Sequence, residues 1–453
     1  MAKIVKDLNQ GSVTRTMLIF ALPMLGASII QMLYNITDMI IIGQFVGKSG
    51  LGAVSVGGDV VHFLFFFAMG FSNAGQVIIS QYLGAGRRDK VGKIVGTLFT
   101  FMSVTAIVLA VATVVFRAPA MRWINTPTEI WRETEQYIVV SMAGMFFVFG
   151  YNVISAILRG MGDSKHPLIF VAVSTALNVV LDFSFVYWLQ WGVFGVALAT
   201  VISQAVCFVL SIIFLWHNKE EFGFDFKFRS FAIDRETLKP LLALGIPMQL
   251  QGAAISFSML FVNSYINSYG VVYAAMNGIG NKVSMVVNII NFSFAAAASP
   301  MIGQAIGAKF YSRVPKIVGV SLWINCVISF VMGVIVVFFP RQVFGVFTND
   351  PEVLDVALTY VPVTIVLLAG SALRPPMSAL INGSGNYKLN MLVGVLDGVV
   401  MRIGLSLLFG LTMGYGVYGF WYGHAAAGLT PFFIGSVFFL TGAWRTRKYI
   451  VRD

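Results

Sequence analysis

Long apolar segments are the feature that most restricts how this chain can fold. From Met17 to Gly442 the sequence contains successive runs of roughly 20 or more apolar residues, each long enough to cross a hydrocarbon layer about 30 Å thick. Only 11% of the 453 residues are charged, whereas soluble proteins carry about 25%. The runs are continuously apolar and do not alternate, which predicts helices and not the strands of a barrel. The sequence therefore predicts an all-α polytopic membrane protein.

Gly, Pro and charged residues divide the chain into about twelve predicted spans. These are 16–46, 50–81, 91–116, 129–158, 167–189, 192–216, 238–264, 272–305, 314–339, 357–381, 388–411 and 417–442. The flanks and loops on the side of the N-terminus contain 22 Lys and Arg residues, and those on the other side contain five. Because cytoplasmic loops are enriched in Lys and Arg, this bias predicts that both termini are cytoplasmic. The first span is too long for the core of a signal peptide, so we expect it to be retained.

The sequence also contains an internal repeat. The matching segments are LGAGRRDKVGKIVG (83–96) with IGAKFYSRVPKIVG (306–319), RGMGDSKHP (159–167) with NGSGNYKLN (382–390), and WGVFG (191–195) with YGVYG (415–419). The first two pairs are offset by 223 residues and the third by 224. Three matches at nearly one spacing, all at equivalent loops, indicate a duplicated unit of six spans.

The repeat predicts two six-helix lobes, at 1–216 and 240–453, joined by a charged cytoplasmic linker at 217–239. Each lobe begins and ends on the same side, so we expect the lobes to be related by an axis along the membrane normal. Paired bundles of this kind are typical of transporters that open a cleft to each side of the membrane in turn. A duplicated scaffold without a transport role is the alternative.

Acidic residues inside the spans of the first lobe point to a binding site. The sequence LNVVLD places Asn178 and Asp182 four residues apart, on one face of span 5. Counted at about 1.5 Å per residue, Asp38, Asp182 and Thr200 lie roughly 10 to 12 Å below the outer ends of their spans, and Asp59 lies at about the same level. A buried acid is costly unless it is protonated, paired or hydrated. Such oxygens can take up a proton or coordinate Na⁺, or can simply hydrogen-bond to neighbouring helices.

The second lobe is basic within its spans, with Lys282, Arg374 and Arg402 against the single acid Asp397. Asp397 and Arg402 are five residues apart, about 140° around an α-helix, so the spacing does not predict that they pair. The three cations either contact a carboxylate or phosphate on a substrate, or pair between helices and extend towards the interface. Both alternatives remain open.

The remaining residues of chemical interest give weaker signals. His62 lies one turn from Asp59. The two residues either form a proton relay or simply share a hydrogen bond along the helix. Cys207 and Cys326 lie in apolar spans, which favours packing over a disulfide or a metal site. The sequence GKS at 47–49 lacks the first glycine of a phosphate-binding loop, so the sequence shows no ATPase motif and predicts transport driven by an ion gradient. The formal net charge of +11 fits membrane orientation and not nucleic-acid binding.

An ordered set of motifs resembles the multidrug and toxic compound extrusion (MATE) family of secondary exporters. The motifs are FALPML with Pro23, YNITDMIIIGQFVG with Asp38, SQYLGAGRRDKV after span 2, ILRGMGDSKHP after span 4, LNVVLD in span 5 and WGVFGVALAT opening span 6. The likeness extends over essentially the whole chain. It implies two six-helix lobes that face each other in a V, and export of amphipathic, usually cationic compounds driven by inward flow of H⁺ or Na⁺.

The resemblance also implies an ion site, of the kind found in the branch with its site in the N-terminal lobe (DinF-like). Its residues here are Asp38, Asn178, Asp182 and Thr200, and Na⁺ as the coupling ion would bind Asp38, Asn178 and Asp182. Pro23 removes one backbone hydrogen bond of span 1, so we expect it to act as a hinge. No cofactor is implied beyond the coupling ion.

Two departures from the family pattern bear on these expectations. Another branch carries ion-binding acids on spans 7 and 10, but here span 7 has no acid and span 10 carries Arg374. This argues against an ion site of that kind in the second lobe. Many relatives have Pro directly after the acid of span 5, whereas this chain has Phe183.

The same reasoning predicts the cleft and the partners. We expect the central cleft to be lined by Asp59, His62, Lys282, Arg374, Asp397 and Arg402. The predicted partners are a small-molecule substrate and membrane lipid, with no nucleic acid, for a monomer in the bacterial inner membrane. A flippase for lipid-linked or anionic precursors, from the same wider superfamily, is the alternative. No nucleophile with a base and no metal cluster is visible in the sequence, which argues against an enzyme.

Overall fold

The computed structural model describes residues 5–446, 448, 450 and 451. Within these residues the protein consists of helices and their connections, and twelve helices are long and apolar enough to cross a membrane. We number them α1 Val13–Phe45, α2 Gly47–Gly84, α3 Arg88–Val115, α4 Thr128–Gly160, α5 Lys165–Trp188, α6 Gly192–His217, α7 Arg235–Ser268, α8 Val271–Gly307, α9 Arg313–Phe338, α10 Pro351–Ser384, α11 Tyr387–Thr412 and α12 Gly416–Leu440. The prediction of an all-α membrane protein with twelve spans is confirmed.

Helix lengths show where the chain leaves the hydrocarbon layer. Helices α2 and α8 contain 38 and 37 residues, which corresponds to about 55 Å at 1.5 Å per residue. A hydrocarbon layer is only about 30 Å thick, so both helices extend beyond it. Short helices that the sequence did not predict lie in the connections: Arg117–Trp123, Thr128–Ile130 at the start of α4, Lys219–Phe222, Phe228–Phe231 and Pro340–Gly345.

Two of the spanning helices contain three π-helical segments among the described residues. In α5 the α-helix ends at Phe183 and a π-helical turn follows at Ser184–Trp188. In α11 the π-helical segments are Leu396–Met401 and Leu408–Thr412. Because π-helix is rare and is frequent at functional sites, these segments mark positions where side-chain geometry matters.

The chain divides into two compact units. Unit 1 contains Gly26–Leu83 and Arg87–Leu242, and unit 2 contains Asp7–Leu25, Gly84–Gly86 and the residues from Ala243 onward. The division falls within α1, two residues after Pro23. Three of the 22 basic residues counted on the predicted cytoplasmic side, Lys3, Arg447 and Arg452, lie outside the described residues.

The segment at 217–239, expected as a linker, packs against α3 within unit 1. Gly92 and Gly96 are four residues apart on α3, and a Cβ on either would collide with the carbonyl oxygen of Gly223 or of Ser230. Such small-residue spacing allows close backbone contact. The Thr100 hydroxyl donates to the Phe231 carbonyl at 2.6 Å. The segment is therefore docked on α3 and is not a free tether.

The core of unit 2 is built around α8 and α10. Asn291 of α8 is fully buried, and its amide donates to Ser329 Oγ of α9 and to the Ser371 carbonyl of α10, both at 3.0 Å. The Ser371 hydroxyl donates in turn to Asn288 Oδ1 at 2.6 Å. These hydrogen bonds satisfy polar groups that would otherwise be costly to bury, and they fix the three helices to one another.

Candidate functional site: two buried polar clusters

The first cluster lies in unit 1 and contains the two acids of the predicted ion site. Asn178 and Asp182 are fully buried on α5, one helical turn apart. The side chains of Asp38, on α1, and of Asn178 both lie close to Asp182. The structure thus brings together three of the four residues that the resemblance implied.

Two tyrosines that the sequence analysis missed complete this cluster. Tyr34 lies one turn before Asp38 on α1, close to that acid, and its hydroxyl is 3.0 Å from Oγ1 of Thr200. Tyr137 of α4 lies near both acids. Thr200, the fourth predicted residue, is therefore connected to the acids through Tyr34. The four-residue spacing of Tyr34 and Asp38 puts both side chains on one helical face, so the sequence could have predicted that Tyr34 lies near the acid.

The electrostatics of the N-lobe cluster (Tyr34, Asp38, Asn178, Asp182 and Thr200) are unusual. Within the described part of the chain, neither acid forms a salt bridge. One oxygen of Asp38 and both oxygens of Asp182 are buried without a hydrogen-bond donor. Two carboxylates can only accept, so a hydrogen bond between them requires a proton on one. Carboxylate, amide and hydroxyl oxygens are also hard ligands that suit a small cation.

The helix that carries Asp182 changes form directly after it. The π-helical turn at Ser184–Trp188 begins one residue after Phe183. Phe183, which stands where many relatives have proline, is the last α-helical residue before this turn. The helix is therefore locally irregular just after the N-lobe cluster.

The structure does not bring Asp59 or His62 into the N-lobe cluster. Both side chains are exposed on α2, and neither forms a hydrogen bond or an ion pair with any described residue. The Asp59–His62 pair therefore appears neither as a relay nor as a helix hydrogen bond. In unit 2, Lys282 is also exposed, with its ammonium 5.9 Å from the centre of the Phe347 ring. The assignment of these three residues to a cleft stays a prediction.

A second cluster, the C-lobe cluster, lies in unit 2 and consists of Arg374, Asp397, Arg402 and His424. Asp397 is fully buried on α11, with Oδ2 at 2.9 Å from Nη2 of Arg374 and Oδ1 at 2.9 Å from Nη2 of Arg402. Nη1 of Arg402 lies 3.2 Å from Nδ1 of His424 on α12. Of the two alternatives for these arginines, the structure shows pairing with an acid, and for Arg374 the pair joins α10 to α11.

The α-helical spacing, in which five residues correspond to about 140°, does not predict a pair between Asp397 and Arg402, yet the structure shows one. The segment Leu396–Met401 is π-helical, and in a π-helix the hydrogen-bonded neighbour of residue i is residue i+5. Residues five apart therefore lie closer together around the axis than in an α-helix, and the pair is local.

Comparison with known proteins agrees with this architecture. The MatE family profile matches residues 23–184 and 247–408. The second match begins 224 residues after the first, which is the offset of the internal repeat at WGVFG and YGVYG. The duplication predicted from the sequence is thus the duplication of the family.

Individual relatives are similar over nearly the whole chain. The probable multidrug resistance protein YoeA of Bacillus subtilis is 28% identical, covering 92% of each chain. A solved MATE structure in the bent conformation aligns with a TM-score of 0.89 at 22% identity, covering all of both chains. An outward-facing multidrug resistance MATE family transporter of the MOP superfamily aligns at 0.87, also at 22% identity, covering 100% of this chain and 99% of the other. At that identity the structures show the fold, and because the family profile covers more than half of the sequence in two copies, the chain belongs to the MatE family of membrane transporters.

Proposed function

We propose that this protein is a secondary active efflux transporter that exports amphipathic organic cations in exchange for H⁺ or Na⁺ by alternating access. Relatives named as multidrug resistance proteins support efflux of drugs. The observation that carries the coupling is the N-lobe cluster, where the partly buried Asp38 and the fully buried Asp182 lie together without a basic partner among the described residues. As a transporter the protein is not an enzyme, and it needs a coupling ion but no cofactor.

Asp38 and Asp182 hold the coupling ion, with Asn178 and Thr200 as neutral oxygen partners. Two carboxylates that lie close together repel each other when both are ionised, and a proton or Na⁺ between them removes this repulsion. An ion-loaded cluster is also cheaper to enclose in apolar surroundings. Ion binding therefore favours one arrangement of the lobes, and release of the ion favours the other.

Substrate and ion exclude each other through the same equilibrium. An organic cation is attracted to ionised acids, and a proton or Na⁺ that neutralises the acids removes this attraction. Bound ion and bound substrate thus stabilise different states, which is the requirement for exchange. Pro23, near the division of α1 between the two compact units, is the residue at which the helix bends because it lacks one backbone hydrogen bond.

The basic residues give the orientation. The bias of 22 to five Lys and Arg supports cytoplasmic termini in a bacterial inner membrane, with the segment 217–239 on the cytoplasmic side. In this orientation ions move inward down their gradient while the substrate moves outward. We expect a monomer to be sufficient, because each chain carries both lobes.

Reconstitution in liposomes tests the proposal. Liposomes that contain the protein in both orientations are loaded with the cationic dye rhodamine 123. A proton gradient or a Na⁺ gradient is then imposed in separate experiments. We expect dye movement against its own gradient with one of the two ions, and none without a gradient. Dye movement that ignores both gradients contradicts the proposal. Gradient-dependent movement of a short-chain fluorescent phospholipid, without dye transport, would indicate a flippase instead.

A further inference from the structure

The charges of the C-lobe cluster do not balance. Two guanidinium groups, on Arg374 and Arg402, surround the single carboxylate of Asp397. The neighbouring side chain of His424, which Nη1 of Arg402 contacts, supplies no negative charge. Among the described residues no second acid pairs with either arginine. One positive charge therefore stays uncompensated in a buried site, which is costly for a protein in a membrane.

Buried donors without acceptors lie in and next to the same cluster. Arg402 is 4% exposed, and its Nε–H is buried without an acceptor. Trp421 lies one turn before His424 on α12, is 2% exposed, and its indole N–H also has no acceptor. Buried donors are normally satisfied because each unmade hydrogen bond costs about 1 to 3 kcal/mol. The C-lobe cluster therefore has an excess of donors as well as an excess of positive charge.

Arg374 is the accessible part of the C-lobe cluster. Its side chain is 18% exposed, compared with 5% for Arg402 and none for Asp397. A guanidinium group presents a planar fork that matches carboxylate and phosphate, and such pairs are among the stronger hydrogen bonds in proteins. Asp397 contacts only part of that fork, through Oδ2 and Nη2. An incoming anion could thus share Arg374 while Asp397 stays with Arg402.

We propose that the C-lobe cluster binds an anionic oxygen group, a carboxylate or a phosphate, and that Arg374 is its contact residue. The group belongs to the transported compound, an assignment that rests on the proposed function. Substrates that carry a carboxylate or phosphate are then preferred over otherwise similar compounds that lack one. The same chemistry exists in the phosphate of an anionic lipid, which the experiment must distinguish.

Two dyes that differ at one group test this proposal. Rhodamine 110 has a free carboxylate, and rhodamine 123 is its methyl ester on the same cationic ring system. Binding to purified protein in detergent is measured by fluorescence anisotropy without any gradient. We expect Arg374→Gln to weaken rhodamine 110 binding on the order of tenfold or more, the effect of about one charged hydrogen bond, and to change rhodamine 123 binding less than twofold.

The control is Arg341→Gln, which removes the same charge from an exposed pair with Asp355 in the same unit. It should alter neither affinity. Arg374→Gln leaves one arginine for Asp397, so the buried pair is neutral and the protein should stay folded. Arg374→Lys keeps the charge but not the fork, and it should still lose rhodamine 110 selectively. Equal loss of both dyes, or no loss in either variant, overturns the proposal.

A lipid arm identifies the source of the anion. Phosphatidylglycerol and phosphatidylcholine are titrated against bound rhodamine 110. One outcome is that phosphatidylglycerol displaces the dye and phosphatidylcholine does not. If Arg374→Gln abolishes both this displacement and the selectivity for the free carboxylate, a lipid phosphate shares the site. Selective dye binding that neither lipid displaces assigns the site to the substrate. Failure of the proposed transport function is a separate result, because rhodamine 123 export does not involve the carboxylate.

Discussion

The two buried clusters differ in what balances their acids. Asp182 and Asp397 both lie on the fifth span of their lobe, at or beside a π-helical segment. Asp397 has two arginines at 2.9 Å, whereas Asp182 has another acid and no cation among the described residues. An acid already paired with arginine gains little from a proton or Na⁺, while an unpaired one requires an ion. The charge partner, and not the presence of an acid, therefore distinguishes the proposed coupling site from a paired site.

The largest expected effect comes from removing both N-lobe acids. The double variant Asp38→Asn and Asp182→Asn has no carboxylate to hold the ion, so gradient-driven export should fall at least about a hundredfold, the loss expected when a charge-specific interaction of about 3 kcal/mol disappears. Export of rhodamine 123 from liposomes measures this. The protein should remain folded, since amides replace the acids at equal size, and size-exclusion chromatography checks it. Export at near wild-type rate that still follows the gradient would place coupling elsewhere.

The same substitution should have opposite effects on stability in the two clusters. Asp397→Asn leaves two arginines without their acid, and breaking such a buried pair costs about 3 to 5 kcal/mol. Asp182→Asn removes a carboxylate that has no cation partner, so the free energy of unfolding should be unchanged or raised. Unfolding of each variant in detergent, followed by intrinsic tryptophan fluorescence, gives both values. Losses of similar size would mean that both acids are structural.

A smaller effect is expected from the hydroxyl that connects the acids to Thr200. Tyr34→Phe removes a hydrogen bond worth about 1 kcal/mol, so the ion concentration for half-maximal export should rise about fivefold. Thr200→Ala should have a similar effect, and the double variant should cost less than the sum because both substitutions remove one contact. Additive losses would show that the two residues act independently.

The sequence predicted the spans and the repeat, but not the direction in which individual side chains point around their helices. Hydropathy determined the twelve spans, because crossing a membrane requires apolar length, and spacing determined the repeat. The position of Asp59 along its helix could be counted from the sequence, but the direction of its side chain around the helix could not. In the structure Asp59 is exposed and does not join Asp38. Tyr34 lies four residues before Asp38, so the spacing alone placed both on one face of the helix, but it did not show that this face meets Thr200.

Two features that the sequence does not predict, the Asp397–Arg402 pair and the docking of segment 217–239 on α3, have a common physical origin. The Asp397–Arg402 pair depends on a π-helical segment, and no residue type in Leu396–Met401 specifies one. The docking of the linker depends on tertiary contact with the Gly92–Gly96 face of α3. Sequence periodicity describes a regular helix, so it does not report local changes in winding or the partner of an exposed face.

The smallest effect on stability is expected from substituting an acid that lies outside the apolar spans, because water solvates its charge. Asp234 precedes α7 and accepts from the hydroxyl and the backbone N–H of Thr237, at 2.7 and 3.0 Å. These bonds, the hydroxyl first, hold the pKa of Asp234 below its usual value. Because the folded pKa is lowered, the stabilisation is complete above the ordinary pKa of Asp and is lost as pH falls through the lowered value.

Asp234→Ala should therefore cost about 1 kcal/mol of unfolding free energy at neutral pH, as for other helix N-caps. Asp234→Asn retains the cap and loses only a screened charge, so it should cost a few tenths of a kcal/mol. Near pH 3 the difference between wild type and Asp234→Ala should shrink, since the wild-type carboxyl is then becoming protonated. Thermal unfolding at both pH values measures this. If Asp234→Asn costs as much as Asp234→Ala at neutral pH, the charge of Asp234 contributes more to stability than its hydrogen bonds do. A solvated acid would then depend on its charge as a buried acid does, and the contrast with the buried clusters would be weaker.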